Sequence, residues 1–112
     1  MNAPRILLIE DEHIVAVSLS RALRVFGAEV VGTAASVEQA LEFLATTPID
    51  GALLDINLRG VRAYSVADEL MARGVPFVFT TGYSAPIIPE AYQHVTVLQK
   101  PFDPEEILTA LF

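Results

Sequence analysis

The sequence predicts an α/β domain: one five-stranded parallel sheet in the middle of three layers, with helices on both faces. Two observations carry this. Short apolar runs recur along the chain without alternation, as strands covered on both faces require. Between them the apolar spacing changes to a helical period, giving the order βαβαβαβαβα. A chain of 112 residues with a 53% hydrophobic fraction holds one such domain, residues 1–112, with a substantial core.

Residues 5–9 form the first strand, and the helical period starts at Glu12, with Val15, Leu19, Ala22 and Phe26 on one face. Gly27 is placed to stop that helix. Residues 28–34 read as strand two. Ser36 with Gln39 forms a capping-box pattern for helix two, whose inward face is Val37, Ala40, Leu41 and Leu44 and which Pro48 ends. Residues 51–56 are strand three, interrupted only by Asp55. A loop with Gly60 leads to a helix over 63–73, with Val66, Ala67 and Leu70 inward and Gly74 after it. Residues 76–81 and 95–98 are strands four and five. Asp103, Pro104 and Glu106 supply an N-cap, a first-turn proline and a capping partner, so the last helix starts at 104. Pro86 and Pro89 interrupt the segment between strands four and five, so a short or mobile fourth helix is expected there.

Composition excludes several classes. Seven basic residues against 14 acidic give a net charge of −7, unsuited to nucleic-acid backbones. No apolar run reaches the ~18 residues of a membrane span. There is no cysteine, hence no disulfide or thiolate metal site, and no signal-peptide pattern; a cytoplasmic location is expected.

The stretch ILLIEDEH, 6–13, poses the functional question, because Glu10, Asp11 and Glu12 leave a buried strand side by side. Ligands in open α/β sheets sit outside the carboxyl ends of the strands. Those ends carry Glu10 and Asp11 (strand one), Asp55 (strand three), Thr81 (strand four) and Lys100 (strand five), the chain's single lysine. Carboxylates, a hydroxyl and an ammonium on one rim suit Mg²⁺ and a phosphoryl group. Each alone has a plainer reading: Glu12 as a helix-dipole acid, Thr81 as a strand-end hydroxyl, Lys100 as a solvated charge. His13 and His94 read as surface residues, and Tyr64 and Tyr92 suggest no role.

LLIEDE, LLDINL, TTG and LQKPF, in this order and spacing, resemble a response-regulator receiver domain, over essentially the whole chain. PFVFTTGY, 76–83, resembles the receiver subclass marked by PFxFATGY, with Thr80 in place of alanine. The resemblance implies the flavodoxin-like strand order 2-1-3-4-5. It implies that Glu10 and Asp11, with Asp55 and the backbone carbonyl of Asn57, bind Mg²⁺ or Mn²⁺. Asp55 would be the phosphoacceptor, with Thr81 and Lys100 holding the phosphoryl group, and the bond from Lys100 to Pro101 would be cis. Many members have an aromatic switch residue where this chain has Val97. Tyr83 is then the aromatic nearest the site in sequence, and phosphorylation would act by reshaping 82–93. The implied partner is a histidine kinase, of HWE or HisKA2 type on the subclass resemblance, together with a downstream protein. The domain would be a switch, sink or shuttle with slow autodephosphorylation, and not a turnover enzyme. A phosphorylation-independent binding module on the same fold is the alternative. An aspartyl-intermediate phosphatase, suggested faintly by Asp55-Ile-Asn57, lacks a second aspartate. The last helix reaches only Phe112, which leaves a longer natural chain or a parent hybrid kinase open.

Overall fold

The computed structural model describes residues 3–82 and 88–112. Its centre is a five-stranded sheet of β1 (Arg5–Ile9), β2 (Glu29–Ala34), β3 (Gly51–Asp55), β6 (Phe77–Thr81) and β7 (Val97–Gln99). The order is β2-β1-β3-β6-β7 and every pairing is parallel. With the five strands of this sheet renumbered, this is the expected 2-1-3-4-5 order. β1 serves both faces: Leu7 and Ile9 pack with residues of α2 (Val37–Thr46) and α3 (Tyr64–Ala72), while Ile6 and Leu8 pack with residues of α1 (His13–Val25) and α4 (Pro104–Leu111).

The termini of the elements follow local chemistry. Gly27 and Gly74 take φ of +94° and +67° behind α1 and α3, where a side chain would be strained. Ser36 Oγ accepts from Gln39 N, and Gln39 Oε1 accepts from Ala35 N, one residue upstream of a regular capping box. Glu106 accepts from Asp103 N and Pro104 opens α4. The short fourth helix is a single 3₁₀ turn, Glu90–Tyr92.

Three expectations need correction. The face of α1 that meets the sheet is Ala16, Ser20 and Leu23. Val15, Leu19 and Ala22 flank it half-buried, and Phe26 is 47% exposed at the helix C-cap. The buried residues at 16 and 20 are small, and a search for large apolar side chains overlooks them. The fifth strand starts at Val97, two residues later than expected. The loop around Gly60 is a small antiparallel hairpin of β4 (Asn57–Leu58) and β5 (Val61–Arg62), and its two turn residues Arg59 and Gly60 have φ of +52° and +81°. Positive φ at both positions is the geometry of a type I′ turn.

The edge strand β2 carries one extra residue. Ile6 pairs with Val30 and Leu7 with Gly32, so Val31 bulges out. At Gly32 an added Cβ would overlap the ring edge, Cζ and Cε1, of Phe43 on α2. Gly32→Ala is therefore expected to lower the urea unfolding free energy by about 1–3 kcal/mol, the usual cost of overpacking. Shortening the ring in Gly32→Ala/Phe43→Leu should recover most of it.

Candidate functional site

The parallel register brings the carboxyl ends of β1, β3, β6 and β7 level, so residues far apart in sequence meet on one rim. Lys100, just past β7, donates its N–H to the carbonyl of Thr81 at 2.8 Å. Its side chain turns into the acids: Nζ lies 2.6 Å from Glu10 Oε1, 2.8 Å from Asp55 Oδ2 and 3.7 Å from Glu12 Oε1. The side chains of Glu10 and Asp55 are 3% and 8% exposed, so this is a buried ion-pair cluster. Asp55 Oδ1 accepts from Asn57 N at 3.0 Å, and Asp11 Oδ2 accepts from Arg59 N at 2.9 Å. The peptide bond from Lys100 to Pro101 is cis.

Burial, with the neighbouring Asp55, pushes the Glu10 carboxyl up to about 7 from its ordinary 4.5, against the pull of Lys100. For Lys100, burial disfavours the ammonium, but the hydrogen bonds and charges of Asp55 and Glu10 outweigh it and hold the pKa above its usual value. Asp11 is half-buried. Its slight desolvation is outweighed by the Arg59 N–H, Glu10 and Lys100, and its pKa is lowered.

Glu10, Asp11 and Asp55 each offer a carboxylate oxygen, all within 4.8 Å of one another. An all-oxygen set of hard donors suits Mg²⁺ or Mn²⁺ and not a soft metal. The excess of acid over base in the cluster suits a divalent cation as well, so the residues fit such an ion. Beside them opens a cleft of about 270 Å³ lined by Asp11, Glu12, Asp55, Asn57, Arg62, Thr81, Gly82 and Lys100, among others.

The sequence-derived positions Glu10, Asp11, Asp55, Asn57, Thr81 and Lys100 are thus gathered on one rim. Tyr83 lies outside the described residues, as does Pro86. Val97 is half-buried, paired with Phe79 and packed on the core. His13 and His94 are exposed. Tyr64 and Tyr92, for which no role was legible in the sequence, stack at 4.9 Å and 7°, and both meet Phe79 edge-on. Tyr92 also donates to Asp68. An aromatic wedge therefore sits beside Phe79 although strand β7 contributes none. Arg62, on the cleft wall, had no sequence signal beyond its charge.

A flavodoxin-like sheet whose carboxyl rim joins a half-buried lysine to acids from two neighbouring strands defines the receiver class of signalling domains. The chain belongs to the response regulator receiver domain family, whose profile matches residues 6–112. SdrG from Sphingomonas melonis Fr1 is similar in structure at a TM-score of 0.85 and 40% identity, over 97% of this chain and 96% of that one. The REC domain of the PhyR response regulator from Erythrobacter litoralis follows at 0.84 and 27%, over 98% and 88%. The transcriptional regulatory protein PdtaR of Mycobacterium tuberculosis is 26% identical over 111 residues, 96% of this chain and 54% of PdtaR, so the chain spans about half of that relative.

Proposed function

We propose that the domain accepts a phosphoryl group on Asp55 from the phosphohistidine of a histidine kinase, in a reaction that needs Mg²⁺ or Mn²⁺. The observation that carries this reading is the ammonium of Lys100 held at 2.8 Å from Asp55 Oδ2 inside an acid cluster. A half-buried lysine already seated on the acceptor carboxylate is where new phosphoryl charge needs a partner.

A carboxylate oxygen of Asp55 forms the new P–O bond while the P–N bond to the imidazole breaks. The electron pair returns to that imidazole nitrogen, and the proton carried on the other ring nitrogen leaves the ring a neutral imidazole. The Asn57 N–H holds Oδ1 and so fixes the plane of the acceptor carboxylate. Lys100, on the side of Oδ2, meets the phosphoryl oxygens, and the Thr81 hydroxyl takes another. A divalent ion held by Glu10, Asp11, Asp55 and the Asn57 carbonyl would neutralise phosphoryl charge as a Lewis acid. The chain's own contribution is positioning and electrostatics, the usual content of phosphoryl-transfer catalysis.

Support comes also from SdrG, whose BeF₃-activated conformation matches this chain at 40% identity and a TM-score of 0.83. The PFVFTTGY stretch favours the PFxFATGY subclass and, with it, a kinase of HWE or HisKA2 type. The switch then runs through Thr81 and residues 82–93, since Val97 is no aromatic. Slow loss of the phosphoryl group makes the domain a cytoplasmic switch, sink or shuttle and not a turnover enzyme.

Intact-mass spectrometry after incubation with acetyl phosphate tests the reading. One phosphoryl adduct is expected with Mg²⁺ and none with EDTA. Metal-independent labelling would overturn the metal requirement, and no adduct together with no response to beryllofluoride and Mg²⁺ would return the chain to a binding-only module.

A further inference from the structure

One cation on the cleft wall has no part in the scheme above. We propose that the guanidinium of Arg62 is a second phosphoryl-binding group, acting with Lys100 on the phosphorylated Asp55. The inference rests on the phosphoacceptor reading and deepens it.

Four observations point to it. Arg62 lines the same cleft as Asp55, Thr81 and Lys100. It pairs directly with Asn57 across the β4–β5 hairpin, and directly opposed residues of an antiparallel pair project on one face. Its side chain therefore leaves the hairpin beside the residue whose N–H orients Asp55. The hairpin itself is tied to the site, because the turn residue Arg59 donates its N–H to Asp11 Oδ2. Lastly, the Arg62 side chain makes no ion pair or hydrogen bond among the described residues, whereas Arg5, Arg24 and Arg73 are engaged elsewhere. It is exposed and available to a ligand.

Charge supplies the reason. Four carboxylates, of Glu10, Asp11, Glu12 and Asp55, face one lysine at this rim. An acyl phosphate replaces the single charge of Asp55 by roughly two. A planar guanidinium presents a fixed fork to two phosphoryl oxygens, whereas the ammonium of Lys100 is a point charge already shared between Glu10 and Asp55.

The test compares the wild-type chain, Arg62→Gln and Arg62→Lys in two NMR titrations, Mg²⁺ alone and beryllofluoride at saturating Mg²⁺. Losing a charge-assisted contact should weaken beryllofluoride binding about ten-fold or more in Arg62→Gln, with partial recovery in Arg62→Lys. Binding of Mg²⁺ alone should stay as tight or tighten, because a cation has been removed from beside a cation site. These opposite signs separate an anion contact from a structural role, which would move both affinities together. Unchanged beryllofluoride affinity, or parallel loss of both ligands, overturns the proposal. Failure of the wild type itself to bind beryllofluoride with Mg²⁺ overturns the phosphoacceptor reading, and this one with it.

Discussion

Asp55→Asn is expected to leave no phosphoryl adduct above the EDTA baseline under conditions that label the wild type fully. The amide retains an oxygen to accept from Asn57 N, so the geometry of the site survives. It loses the nucleophilic charge, and a neutral amide oxygen does not form the acyl phosphate. The substitution should not harm the fold. Asp55 is one of the groups that push Glu10 upward, so its removal relieves like-charge repulsion in a buried cluster, while Lys100 keeps its 2.6 Å contact with Glu10. Thermal unfolding of metal-free protein should therefore show an equal or higher midpoint. An adduct persisting on Asp55→Asn would mean that another residue accepts the phosphoryl group.

Lys100→Met should have the largest effect on stability. Methionine replaces much of the apolar stem but leaves Glu10 and Asp55 buried together without a cation. Breaking a buried ion pair by removing one partner costs about 3 kcal/mol at the lower end, appropriate to a lysine that is partly exposed. The measurement is urea unfolding in EDTA at pH 7. The pH dependence has a definite sign. A lysine whose folded pKa is raised stabilises fully below its unfolded value, so the whole effect is present at neutral pH. Glu10 is raised too, which means the folded state holds its proton more tightly. Its burial then weighs against folding as pH rises from 4.5 through about 7, and more so once Lys100 is gone. The deficit of Lys100→Met should thus shrink from pH 7 to pH 5, as Glu10 takes up a proton. A deficit independent of pH would show that lost packing, not unpaired charge, is responsible.

Most of this was legible in the sequence because the relevant forces are local or periodic. Ile6 to Ile9 without alternation announced a covered strand, and Asp103 with Pro104 announced a helix start. Glu10, Asp11, Asp55, Thr81 and Lys100 could be picked out because a parallel sheet brings strand ends level whatever the details of packing. Other features depend on contacts that no window contains. Ala16 and Ser20 became the inner face of α1 because they are small, and smallness matters only once a sheet lies beneath. The β4–β5 hairpin has strands of two residues, too short for alternation to show, and Arg59 reaches positive φ in a turn whose N–H meets Asp11, 48 residues away. Tyr92 follows two prolines and looks like loop, yet its ring completes a stack with Tyr64 formed across the fold.

The Val31 bulge has a consequence beyond the strand that contains it. A parallel sheet has two margins, and a straight unpaired margin is a template on which another chain can add a strand. Here one margin is β2, bent by its extra residue, and the other is β7, only three residues long. Neither presents a long flat row of free amide groups. Growth of the sheet from molecule to molecule is thereby discouraged at both margins.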